Sequence, residues 1–191
     1  MLKEKRKIKI GRQGYGLSVV DGVLAQSTVL RDFPYFANLP YRLSDFDRSD
    51  TAQVRHFANQ LSSDALLENA SLKTYFTKAV QILDLLGISH GCLERAYINL
   101  NFHGDEQFSH DDGNLWTVLF FLNPTWNEDW RGEFVAYEDG EPAHLILPKP
   151  GRAIVFDGRI VHRGGTPSKF CTEPRLTLAM KFAKAKRNVK K

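Results

Sequence analysis

The strongest constraint on this chain's fold is a change of pattern at Glu94. Beyond it, short apolar or alternating runs (Ala96–Phe102, Leu115–Leu122, Glu133–Tyr137, His144–Leu147, Ala153–Phe156, Leu176–Phe182) are separated by turn-rich pieces such as Asp111-Asp112-Gly113-Asn114 and Pro148-Lys149-Pro150-Gly151. Strands of this length, punctuated by Gly, Pro, Asn and Asp, predict a β-sandwich or jelly-roll barrel. Upstream the period changes. Leu72, Tyr75, Phe76, Ala79, Ile82, Leu83 and Leu86 recur at spacings of three and four, with Ser71 at the start and Gly87 past the end, which predicts a helix. Asp47-Arg48-Ser49-Asp50 offers capping oxygens for another helix running to about Leu61. The expected architecture is mainly β with flanking helices (α+β): helical support over roughly 45–90 bracing a β-core over roughly 94–183, with a basic tail over 184–191. With no internal repeat and no Pro/Gly/Ser linker, residues 1–191 are expected to form a single domain.

Composition excludes several classes. Two cysteines, Cys92 and Cys171, make neither a disulfide framework nor a zinc knuckle, so a reducing, cytoplasmic setting is expected. No apolar run follows the charged N-terminus as a signal peptide would, and none approaches the roughly 20 residues needed to span a bilayer, so no membrane partner is expected. The net charge of +4 is uneven: residues 1–12 carry +5 and residues 181–191 carry +6, leaving −7 for the middle. Basic ends can serve nucleic acid, but solubilising, partly disordered tails are the favoured reading.

The chemistry starts at His110-Asp111-Asp112, an imidazole and a carboxylate two residues apart. On a strand, such positions face one side about 6.5–7 Å apart and can share a metal. Joined by a histidine from a neighbouring strand, they would form a facial set of two histidines and one carboxylate with three adjacent positions open, as suits non-haem iron. The pattern alone is weak, because His103-Gly104-Asp105 is a second copy. Context favours the first: it lies beside the apolar strand Trp116–Asn123, whereas Gly104 reads as a hairpin tip. His162 stands on a short strand after the Asp157-Gly158-Arg159 turn, and Arg175-Leu176-Thr177 opens the last strand. An arginine entering a barrel needs a partner, which a dicarboxylate would supply to the guanidinium fork, with Thr177 adding a hydroxyl.

Taken together, Gly104…His110-x-Asp112, Thr117–Asn123, Trp126…Trp130-Arg131-Gly132-Glu133, Pro148…Pro150-Gly151-Arg152…Phe156, His162 and Arg175-x-Thr177 resemble the prolyl-4-hydroxylase-like branch of the 2-oxoglutarate/Fe(II)-dependent dioxygenases, over about half the chain. The resemblance implies a double-stranded β-helix, Fe(II) held by His110, Asp112 and His162, and the distal carboxylate of 2-oxoglutarate on Arg175. It also implies O2 as co-substrate, ascorbate as a supporting reductant, and hydroxylation of an unactivated C–H with succinate and CO2 as co-products. The substrate it implies is a peptidyl or free amino acid, or another small molecule. Two positions depart from the family pattern: Phe121 stands where a tyrosine often contacts the distal carboxylate, and Arg131-Gly132-Glu133 replaces Gly-Gly-Glu. Tyr97 and Asn99 are candidates to bond the proximal carboxylate, a core tyrosine and a rim asparagine being the equal alternative. Trp126 and Trp130 are candidates for the cavity mouth as much as for packing, Trp116 is read as packing, and Arg131, Arg159 and Arg163 as solvated rim charge. Rival readings are a nucleic-acid-directed oxygenase and a non-catalytic metal-binding barrel. The oligomeric state is not encoded in any pattern found.

Overall fold

A computed structural model describes residues 3–185 and contains two facing antiparallel sheets with helices packed on the outside of the larger one. The strands are β1 (Lys3–Ile10), β2 (Tyr15–Asp21), β3 (Arg42–Asp45), β4 (His56–Leu61), β5 (His90–Asn101), β6 (Leu115–Phe121), β7 (Phe134–Glu138), β8 (Glu141–Ile146), β9 (Ala153–Asp157), β10 (His162–Gly164) and β11 (Arg175–Lys184). The helices are α1 (Gln26–Ala37), α2 (Ser63–Glu68) and α3 (Ala70–Leu85). Eight strands run in the order β1-β2-β9-β6-β11-β5-β4-β3, and β10-β7-β8 form the smaller sheet. This is the jelly-roll arrangement expected from the strand pattern.

Strand alternation divides the residues between two cores. On β5, β6 and β11 the even-numbered side chains (Ile98, Phe120 and Leu178 among them) meet the helices, while the odd-numbered ones face the opposing sheet. Helix α3 contributes Leu72, Tyr75, Ala79, Ile82 and Leu83 to the outer core, and the Tyr75 ring sits edge-to-face between Phe36 of α1 and Phe120 of β6, at 5.2 and 5.3 Å. Each such fully buried side chain contributes roughly 1.5–3 kcal/mol. The α3 cap is Asn69, whose Oδ1 accepts from Leu72 N; the expected Ser71 instead donates to the buried Asp32 of α1. At the other end Gly87 takes φ 68° and Ile88 N donates to Leu83 O, a Schellman closure.

Several expectations are overturned. Residues 52–61 are not helical: after a single 3-10 turn at Ser49–Thr51 the chain becomes strand β4, with His56 and Ala58 inward and Phe57 outward. The supposed capping oxygens are used elsewhere, Asp47 on His56 and Asp50 on Arg48. The basic N-terminus is no loose tail, since Lys3–Ile10 is an edge strand paired along β2. At the other end, β11 continues through Lys184, and residues 186–191 of the expected basic tail lie outside the described residues. Helix α1 had no sequence counterpart, because Pro34 stands inside it and no side chain caps its start. Gly104 takes a positive φ in a turn that follows β5, but this turn is no hairpin tip, because β5 pairs with β11 and β4. Among the described residues no helix is long and apolar enough to cross a membrane.

Candidate active site

The space between the sheets is a cavity of about 420 Å³ lined by residues of both. The register of β5, β11 and β6 sets its floor in rows: Arg175 opposite Asn101; Thr177 between Asn99 and Phe121; Ala179 between Tyr97 and Leu119; Lys181 between Arg95 and Thr117. Ala179 is the smallest of these side chains, so the middle of the floor stays open while charged groups stand at either end.

Above the Lys181–Thr117 end lie His110, Asp112 and His162, whose ligand atoms come within 4.8 Å of one another. His110 and His162 face each other across a single antiparallel bridge, His110 N to His162 O 2.9 Å and the reverse 2.8 Å. Asp112 lies in the turn-rich loop, so the two-residue strand spacing does not apply to it; its N–H donates to Gly158 O at 2.6 Å. That approach requires glycine at 158, where a Cβ would stand 2.8 Å from Gly113 O and 3.0 Å from Asp112 Cβ. His103 is held elsewhere, its ring bonded to Pro167 O, and it takes no part in the cluster.

The hydrogen bonds around the three groups settle which atoms remain free. His110 Nδ1 lies 3.1 Å from Phe108 O, and His162 Nδ1 2.9 Å from Ile160 O. Each carbonyl takes the Nδ1 proton and leaves Nε2 as a lone-pair donor toward Asp112, at 3.7 Å from His110 and 3.9 Å from His162. Burial drives the His162 pKa down to about 4 against the opposing pull of Asp112, so its ring is neutral at physiological pH. Asp112 feels burial, which would raise its pKa, but the Lys181 ammonium and the Thr117 hydroxyl hold it below the usual range. Two imidazole Nε2 atoms and a carboxylate are the donor set that Fe(II) accepts.

At the other end, Arg175 is 2% exposed and makes no ion pair among the described residues, Glu133 acting on it only through its charge. Its Nε donates to Gly132 O at 2.7 Å, and Nη1 reaches Asn101 Oδ1 only at 3.5 Å. Burial lowers its pKa to about 10, so it remains charged near neutrality. Phe121 lies under the guanidinium at 5.5 Å, as the departure noted at that position implied, and Thr177 is buried beside it. Gly132 permits the contact, since a Cβ there would meet Arg175 Cδ at 3.0 Å. Asn101 Nδ2 and Asn99 Oδ1 are buried without partners. A buried cation whose fork is half used, beside an orphaned amide donor, fits an anion such as the distal carboxylate of 2-oxoglutarate.

Tyr97 and Asn99 both line the cavity, and Tyr97 packs under Arg95 and Lys181, at 4.3 and 5.2 Å from its ring. The tryptophans do not line it. Trp116 packs with the helical core, and Trp126 and Trp130 pair edge-to-face at 5.5 Å elsewhere. Arg159 is tied to Asp157, and Arg163 donates to Tyr137.

The sequence pattern missed four groups. Thr117 Oγ1 and Lys181 Nζ donate to the two oxygens of Asp112, each at 2.6 Å. Asp47 and His56 lie behind His110. Asp47 accepts from Phe108 N at 2.6 Å, lies 3.1 Å from His56 Nε2, and approaches His110 Nδ1 to 3.5 Å. Period-two counting from Arg175 reaches Lys181 and could have found it; nothing local marks Asp47.

Residues 96–182, the segment bearing the three clustered ligands and all of this floor but Arg95, match the model of the 2OG-Fe(II) oxygenase superfamily. No curated protein matches the chain. Among solved structures it is similar to a prolyl hydroxylase from Trichoplax adhaerens in complex with a hypoxia inducible factor peptide fragment (TM-score 0.66, 16% identity, 88% of this chain and 83% of that one). A prolyl-4-hydroxylase from Pseudomonas putida gives TM-score 0.62 at 16% identity, over 90% of this chain and 94% of that one. The non-heme alpha ketoglutarate dependent epimerase from nogalamycin biosynthesis gives 0.65 at 16%, over 88% and 78%. Over residues 96–182 the chain thus matches the 2OG-Fe(II) oxygenase superfamily, which implies an enzyme dependent on Fe(II), 2-oxoglutarate and O2, and its fold is shared with prolyl hydroxylases.

Proposed function

We propose that the chain, acting as one domain, hydroxylates an unactivated C–H of a peptidyl or free amino acid, with succinate and CO2 as co-products. The observation that carries this reading is the pairing within one cavity of a metal-type cluster, His110, Asp112 and His162, with a buried arginine that forms no ion pair among the described residues. Iron with 2-oxoglutarate and O2 supplies the oxidising power, which no side chain of the protein has.

The protein's own part is binding, orientation and exclusion of water. His110 and His162 present Nε2 because carbonyls fix their other nitrogens, and Asp112 presents a carboxylate because Thr117 and Lys181 keep it ionised. Arg175 holds the distal carboxylate of the co-substrate by the unused part of its fork, and Thr177 adds a hydroxyl, compensating for Phe121. Asn101 Nδ2 is a further donor there, and Tyr97 and Asn99 lie where they can reach the proximal end. Leu119, Phe134 and Phe156 line the rest of the cavity with apolar surface, which keeps water from the reacting carbon.

Retention of an aspartate in the cluster favours hydroxylation over halogenation, and the prolyl hydroxylase neighbours, one of them peptide-bound, favour an amino-acid or peptide substrate. The test is succinate formation from 2-oxoglutarate by the purified chain with Fe(II) and ascorbate. It is run over a panel of peptides and free amino acids and read with a mass gain of about 16 Da on the substrate. Succinate stoichiometric with a hydroxylated amino acid is expected. Turnover confined to nucleic acids or to non-amino-acid metabolites would overturn the substrate class, and no turnover above a metal-free blank would favour a non-catalytic barrel.

A further inference from the structure

One cation of the cavity belongs neither to the metal-type ligands nor to the co-substrate contacts. Lys181 is 8% exposed and stands in the β11 row that ends beside the metal cluster, its Nζ 2.6 Å from Asp112 Oδ1. Asp112 is itself nearly inaccessible, its side chain 2% exposed. The ammonium is flanked by the Tyr97 ring and, across the strands, by Arg95 and Thr117. Arg95 is committed to Asp45 at 2.9 Å, so it does not compete for Asp112.

A buried carboxylate needs a counter-charge whenever no metal is present. In this chain that charge is built in. Resting on the reading of His110, Asp112 and His162 as metal ligands, we propose that Lys181 is an internal counter-ion for Asp112. Its direct 2.6 Å ion pair holds the carboxylate aimed, and a divalent cation must then share that carboxylate with it. The cost of sharing is electrostatic: a dication entering beside an ammonium is repelled, and each oxygen of Asp112 already accepts one hydrogen bond, from Lys181 or from Thr117. Lys181 is therefore a positioning residue that trades metal affinity for a stable, correctly aimed metal-free site.

A merely structural lysine gives a loss of affinity on replacement; a competing counter-ion gives a gain. The metal-free full chain, its Lys181→Met and Lys181→Gln variants and charge-preserving Lys181→Arg are titrated with Mn(II) by calorimetry, with His110→Ala as the control for the cluster. The expected result is Mn(II) binding at least tenfold tighter in K181M and K181Q, within threefold of wild type in K181R, and nearly lost in H110A. The metal-free neutral variants should also melt below wild type, with the gap closing at saturating Mn(II). A neutral variant that folds only when Mn(II) is added reports the same competition. Unchanged or weaker Mn(II) binding in the neutral variants, with H110A still impaired, would overturn the role of Lys181 alone. Wild-type binding by H110A would overturn the metal cluster and the inference with it.

Discussion

Replacing Arg175 by methionine removes the fork and keeps most of the length. The side chain is 2% exposed and spends one N–H on Gly132 O at 2.7 Å, with a second stretched to 3.5 Å toward Asn101. The rest of the guanidinium is available to a dicarboxylate. Breaking a buried charge pair by deleting one partner costs about 3–5 kcal/mol, because the remaining charge loses its partner in a site closed to water. At a factor of ten per 1.4 kcal/mol, R175M should bind 2-oxoglutarate roughly a hundred- to a few-thousand-fold more weakly. Arg175→Lys, keeping charge without the fork, should fall between. The assay is calorimetric titration of 2-oxoglutarate into the Mn(II)-loaded, oxygen-free protein, with thermal unfolding of the unliganded variant alongside. The same substitution removes an unpaired buried charge, so the unliganded variant should be as stable as wild type or more so. Co-substrate affinity within tenfold of wild type, in a folded R175M, would refute the placement of the distal carboxylate.

Other perturbations separate the parts of the site. His110→Ala or Asp112→Ala should abolish 2-oxoglutarate turnover, while His103→Ala, whose ring bonds Pro167 O away from the cluster, should keep most of it in the same succinate assay. Asp47→Ala deprives His110 and His56 of a buried carboxylate, and metal affinity should drop about 10- to 100-fold by Mn(II) titration with the fold intact. Away from the site, Lys184 and Arg159 hold the Asp157 carboxyl below the usual range against the opposing effect of burial, each at 2.6 Å. A depressed folded pKa stabilises the protein above the unfolded carboxylate value of about 3.9 and loses that contribution as pH falls through the folded value. Asp157→Asn should therefore lower the urea midpoint at pH 7, and the difference from wild type should shrink as pH falls below the usual carboxylate range.

Much of the catalytic half was legible because its signals are periodic and local. Short apolar or alternating runs marked the strands from Ala96 to Phe182, and the spacing of Arg175 and Thr177 put both on one face. The three metal-type ligands were legible through family resemblance and strand context, although Asp112 is held by the loop contact to Gly158, which no strand rule foresees. The first half was harder to read. Pro34 concealed α1, and capping-type residues at 47–50 suggested a helix where tertiary pairing with β5 imposes a strand. Asp47 and His56 join the site only through folding, from segments with no signature of their own. Lys181 follows the same alternation as Thr177, but in a sequence read by itself a lysine near a strand end is indistinguishable from a solvated one.

The central claim is that His110, Asp112 and His162 enclose a single iron ion. The most direct measurement is an anomalous difference map at the iron edge from oxygen-free crystals grown with Fe(II) and 2-oxoglutarate. One peak within bonding reach of two Nε2 atoms and the Asp112 carboxylate, with no fourth protein ligand, is the predicted result. A peak at any other group, or a fourth side chain completing the coordination of the ion, would contradict it.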